Sequence, residues 1–159
     1  MRKILVAVDG SECVTRAVEY TGMQFSGIED LSVTLLHVLP NLPPGFWDDG
    51  HILSKQERQV QSRASTKWLE NQKHQAEQMF HDAIDVLEQK GIPAKRVETK
   101  VILDSCDVTT SILDEARNGG YLTLVVGRHA FPRAHEFFVG STTNGIIHQG
   151  AGIAVCVVE

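Results

Sequence analysis

From Leu122 to Thr143 the chain reads LTLVVGRHAFPRAHEFFVGSTT. The apolar run Leu122 to Val126 has the composition of a buried strand, and Gly127 ends it in a turn. Gly127-Arg128-His129-Ala130 is followed by nine residues and then by Gly140-Ser141-Thr142-Thr143, a glycine-hydroxyl step that opens a helix. The first N–H groups of a helix have no intrahelical partner. Hydroxyls beside them add further donors, and the two together suit a phosphate. Ser141 is equally suited to plain N-capping, which needs the same hydroxyl. A strand that empties into such a turn predicts an α/β fold whose task is to hold a nucleotide.

Working outward, strands and helices alternate. Lys3 to Asp9 contains Ile4 to Val8 without interruption, the pattern of a strand buried on both faces. Gly10-Ser11 is a turn, and Ser11 or Asp9 is placed to cap the next helix, whose Val14, Ala17, Val18, Thr21 and Phe25 recur at helical spacing. Ser32 to Leu39 reads as a second strand, stopped by Pro40. A loop then runs from Asn41 to about Gln61, rich in Pro, Gly and Asp. Its Phe46-Trp47 pair suits packing on the domain edge, or a lid or partner contact. Ser62 to Lys90 is predicted as a long helix with Trp68, Gln72, Ala76, Met79, Phe80, Ala83 and Leu87 on its inward stripe, ended by Gly91. Arg96 to Leu103, Tyr121 to Val126 and Ile153 to Val158 read as strands three to five. Asp107 to Asn118, with Val108, Ile112 and Ala116 inward, and Ser141 to Gln149 read as helices.

This alternation predicts an α/β, Rossmann-like three-layer sandwich: a five-stranded, mostly parallel sheet with helices on both faces, formed by residues 1–159 as a single domain. Ligands of such sheets sit at the C-terminal strand ends. Asp9, His37, Val38 and Gly127 all fall there.

The bulk properties narrow the function. A net charge of -5 argues against general nucleic-acid binding. No apolar run approaches the roughly 20 residues of a membrane span. The strand pattern starts by Ile4, which leaves no room for a signal peptide. Cys13, Cys106 and Cys156 are odd in number and far apart, which fits reduced thiols and a cytoplasmic location. No Gly-Lys-Ser/Thr phosphate loop is present. Asp9, Ser11 and His37 invite a triad reading, but His37 precedes the end of its strand and is better placed to pack or hydrogen bond locally. His74 and His81 read as solvated.

These residues together resemble the universal stress protein family over the whole chain, Met1 to Glu159. The opening Ile-Leu-Val-Ala-Val-Asp-Gly-Ser, the strand end Leu36-His37-Val38 and the closing Ile-Ala-Val-Cys-Val-Val are similar to that family's strands. Its ATP-binding members carry Gly, two residues, Gly, nine residues, Gly, then Ser or Thr. Gly127, Gly140 and Ser141 match three of those four positions, and Ala130 stands at the other. Leu122 stands where the family usually has an aspartate.

The resemblance implies ATP or a related adenine nucleotide as ligand, with Mg2+ carried on the phosphates. It implies backbone around Ala7, Val8 and Val38 at the adenine, Asp9 at the ribose or a metal ion, and Val126 and Gly127 under the sugar. Backbone N–H groups of Arg128, His129 and Ala130 and of Gly140, Ser141, Thr142 and Thr143 would hold phosphates, with the three hydroxyls assisting. Arg128, His129 and Arg133 add positive charge nearby. Further implications are a stress-response role with little or slow hydrolysis and a homodimer paired through Ile153 to Val158. The alternative is a nucleotide-free dimeric interaction protein in which Ala130 marks a degenerate site.

Overall fold

The computed structural model describes residues 2–40, 55–128 and 140–159. Among them five strands alternate with four α-helices: β1 (Arg2–Ala7), α1 (Glu12–Phe25), β2 (Leu31–Pro40), α2 (Lys55–Gln89), β3 (Val97–Ser105), α3 (Val108–Asn118), β4 (Thr123–Gly127), α4 (Ser141–Gln149) and β5 (Ala154–Val158). Every strand pairing is parallel, and the sheet order is β3-β2-β1-β4-β5. The expected α/β sandwich is the observed one.

The uninterrupted apolar run of β1 has a simple cause. Successive side chains leave a strand on opposite faces, and here both faces are covered. Ile4 and Val6 join Ala17 and Val18 of α1 and Phe80, Ala83 and Leu87 of α2 in one core layer. Leu5 joins Ile112, Leu113 and Ala116 of α3 and Ile146 of α4 in the other. Thr21, on the inner face of α1, is fully buried and hands its hydroxyl proton to the Ala17 carbonyl at 2.8 Å. The buried polar group is thereby satisfied within its own helix.

The largest departure concerns the loop expected from Asn41 to about Gln61. Its last part is helical, since α2 begins at Lys55. Lys55 to Gln61 lacks Gly and Pro and is rich in good helix formers, but it has no apolar period to signal a helix. Residues 41–54, with Phe46-Trp47, lie outside the described residues. The inward stripe of α2 is also shorter than expected. Ala76, Phe80, Ala83 and Leu87 are buried, whereas Trp68, Gln72 and Met79 are only half-buried. At about 1.5 Å per residue the helix is longer than any strand of the sheet, and among its described side chains the buried ones begin at Ala76.

Candidate functional site

The sheet order places a switch point between β1 and β4. From β1 the chain turns to α1 on one face; from β4 it passes on to α4 on the other. Paired backbone between the two strands ends at Val6 and Val125. Beyond that register Ala7, Val8 and Asp9 part from Val126 and Gly127, and a crevice opens where ligands of such sheets bind.

A cavity of about 250 Å³ occupies this crevice. Ala7, Val8 and Asp9 form one side and Val126 and Gly127 the other, with Val38 at the end of β2. Gly140, Thr142 and Thr143 close it from the start of α4. Nine of the residues singled out from the sequence thus meet around one space. Val108, in the first turn of α3, completes the lining. From the sequence Val108 is legible only as part of the inward face of its helix. The missed signal is Asp107, which caps α3 just beyond the C-terminal end of β3 and so sets the first helical turn at the same rim.

Short hydrogen bonds fix the start of α4. Gly140 is its N-cap and donates its N–H to the Arg128 carbonyl at 3.0 Å. Thr143, buried in the first turn, donates its hydroxyl to the Gly127 carbonyl at 2.8 Å. The helix N-terminus is therefore tied directly to the end of β4. Two donors expected to face a ligand are used inside the fold. The Arg128 N–H donates to the Val158 carbonyl at 2.7 Å, and that of Gly140 is the one already named. The Arg128 guanidinium pairs with the Glu159 carboxylate. Ser141 is exposed as the first residue of α4 and is not part of the cavity wall. His129 and Ala130, and Arg133 beyond them, lie outside the described residues.

At the β1–α1 turn, Gly10 adopts φ +78, the left-handed region that favours glycine. Asp9 Oδ1 accepts the Ser11 N–H at 2.9 Å, so the carboxylate closes the turn at the head of α1. Ser11 is the N-cap by position, but its side chain makes no capping bond. His37 does what its place in the strand predicted: its Nδ1–H donates to the Val8 carbonyl at 2.7 Å. That bond fixes the ring and holds the backbone on which the cavity rests.

Asp107 accepts the Thr110 hydroxyl at 2.7 Å and the Thr109 N–H at 3.0 Å. The Thr110 hydroxyl bond is the main influence holding its carboxyl below the usual Asp range; partial desolvation opposes it, and the backbone N–H bonds of Thr109 and Thr110 reinforce it. Neither Cys106 nor Cys156 is in a disulfide. Among the described residues no group of three or more His, Cys, Asp and Glu side chains forms a metal site, and no helix is long and apolar enough to cross a membrane.

A parallel sheet with a cavity at its switch point, backed by a helix N-terminus, defines a doubly wound α/β domain. The comparisons with known proteins are more particular. The family model described as "Universal stress protein family" matches residues 1–158, and the chain belongs to that family. A sequence comparison with curated proteins gives no match. Among solved structures, UspA from Lactobacillus plantarum superposes with a TM-score of 0.70 at 19% identity, over 99% of this chain and 97% of that one. The universal stress protein from Archaeoglobus fulgidus in complex with dAMP gives 0.58 at 18%, over 100% and 98%. A universal stress protein family protein from Arabidopsis thaliana with AMP bound gives 0.60 at 16%, over 99% and 91%. At these identities the structural likeness speaks for the fold.

Proposed function

We propose that the chain binds an adenine nucleotide in the β1–β4 cavity, ATP among them, and acts as a homodimeric module of a cytoplasmic stress response. The observation that carries this reading is the convergence of Ala7, Val8, Asp9, Val38, Val126, Gly127, Gly140, Thr142 and Thr143 on one space. Complexes of the Archaeoglobus fulgidus and Arabidopsis thaliana proteins with dAMP and AMP support it.

The chemistry of the walls fits such a ligand. Val8, Val38, Val108 and Val126 offer apolar surface to a flat base. Asp9 is acceptor-only and suits ribose hydroxyls. The N–H groups of Ser141, Thr142 and Thr143 belong to the first turn of α4 and attract phosphate oxygens. They take over the part that Arg128 and Gly140 cannot fill, since those two amides are already bonded. Mg2+ would ride on phosphate oxygens, and Asp9 is the carboxylate beside them.

Calorimetry with Mg-ATP, AMP and adenosine tests the reading. Saturable heat with both nucleotides, and weaker heat with adenosine, is the expected result. Absence of heat with all three at millimolar concentration would contradict it and favour a nucleotide-free interaction protein. That second reading draws on Ala130 and on a cavity volume just below the roughly 300–1,000 Å³ common for small-molecule sites.

A further inference from the structure

Arg128 is the first residue beyond β4, and it adjoins the turn of α4 where the proposed site would hold phosphate. Gly127 before it lines the cavity. The Arg128 carbonyl accepts the N–H of Gly140, a lining residue at the head of α4. The Arg128 N–H donates to the Val158 carbonyl at 2.7 Å, which carries the β4–β5 ladder one step past the paired residues Gly127 and Val158. Side chains alternate along a strand. Leu124 and Val126 of β4 and Val155 of β5 belong to the core layer under α3 and α4. Arg128 and Glu159 continue those two rows, so both side chains leave the sheet on the side of α4.

There the Arg128 guanidinium donates to the Glu159 carboxylate. The partners are unequal: the Arg128 side chain is 26% exposed and that of Glu159 is 77% exposed. The arginine is held by its surroundings, and the carboxylate reaches it from solvent. An ion pair this exposed adds little to stability. Its effect on the charge of the site matters more. A guanidinium is always charged, and its fork fits carboxylate and phosphate alike. While Glu159 occupies the fork, a phosphate gains the arginine only by displacing the carboxylate. The first phosphate of a nucleotide has a separate anchor in the orphan N–H groups of α4. Further phosphates need donors beyond that turn, and the cation adjoining it is the one already paired.

We propose that Glu159 sets the phosphate preference of the site: by holding Arg128 it withholds a cation from the β- and γ-phosphates, so the chain takes a nucleoside monophosphate about as well as a triphosphate. The inference rests on the nucleotide site proposed above. Calorimetry on the full chain with AMP and with Mg-ATP, at one low salt concentration, compares the native protein, Glu159→Gln, and Glu159→Gln combined with Arg128→Gln. The native chain should bind ATP no more than about threefold more tightly than AMP. Glu159→Gln should tighten ATP about fivefold or more and AMP less than about twofold, and adding Arg128→Gln should erase the gain. Glu159 is exposed, and the ties of Arg128 to Val158 and Gly140 are backbone bonds, so all variants should keep the native circular dichroism. An unchanged ATP-to-AMP ratio in Glu159→Gln, or a gain that survives Arg128→Gln, would overturn the inference, while saturable AMP binding in the same titrations would leave the nucleotide site standing. Absence of binding by either nucleotide in every variant would remove both.

Discussion

Thr143 and Asp107 show how much of the cavity rim depends on single side chains. Thr143 spends its hydroxyl on the Gly127 carbonyl, and Thr143→Val keeps the shape but removes the donor. Urea unfolding should register a loss of about 1 kcal/mol, and nucleotide affinity should fall because α4 is no longer pinned to β4. Asp107 makes a pH-dependent contribution. Its carboxyl titrates lower in the fold than in the unfolded chain, chiefly because of the Thr110 hydroxyl. A depressed value means that the stabilisation is complete above the ordinary Asp value of 3.8 and fades as pH falls below it through the folded value. Thermal midpoints from about pH 6 down to about pH 3 should therefore fall less steeply in Asp107→Asn than in the native chain. Ala130 has its own test at this scale. If the family's glycine lets backbone approach a phosphate more closely, Ala130→Gly should tighten ATP binding, as read by calorimetry.

At the scale of elements, the contact between α3 and α4 and the length of α2 are the informative features. A Cβ at Gly145 would stand 2.8 Å from Thr109 Cγ2 and 3.0 Å from its Oγ1, and Thr109 is itself buried. Gly145→Ala should cost about 1–3 kcal/mol in chemical denaturation by pushing α4 off α3. At Gly27 nothing lies within 4 Å, and Gly27→Ala should be near neutral in the same assay. Among the described side chains of α2, from residue 63 on, the buried ones begin at Ala76. Hydrogen exchange should be faster for amides 63–75 than for 76–89, since the first half has little core to hold it. The strands were legible in the sequence because both faces of the sheet are covered: Ile4 to Val8 and Leu124 to Val126 have no polar interruption to blur them. The start of α2 was not, because Lys55 to Gln61 carries no apolar period. Nine residues of the cavity lining were legible from the strand ends and from the family resemblance. Val108 and the internal use of the Arg128 N–H were not, since both depend on which strand neighbours which, and local spacing does not encode that.

At the scale of the whole molecule, the sheet has two outer strands, β3 and β5. β5 pairs with β4 through Ala154 to Val158, and Val157 is 39% exposed. A free apolar edge invites pairing with a second copy, and the proposed homodimer uses it. Val157→Lys should shift the mass seen by sedimentation from dimer towards monomer; a native chain that is monomeric at micromolar concentration would remove the dimer from the account.

The central claim is that an adenine nucleotide lodges at the switch point between β1 and β4. An amide-resolved NMR titration of the full chain with AMP tests it most directly. The account predicts saturable shifts centred on Ala7 to Asp9, Val38, Val126 to Gly127 and Gly140 to Thr143. Saturable shifts centred elsewhere, or none at millimolar AMP, would contradict it.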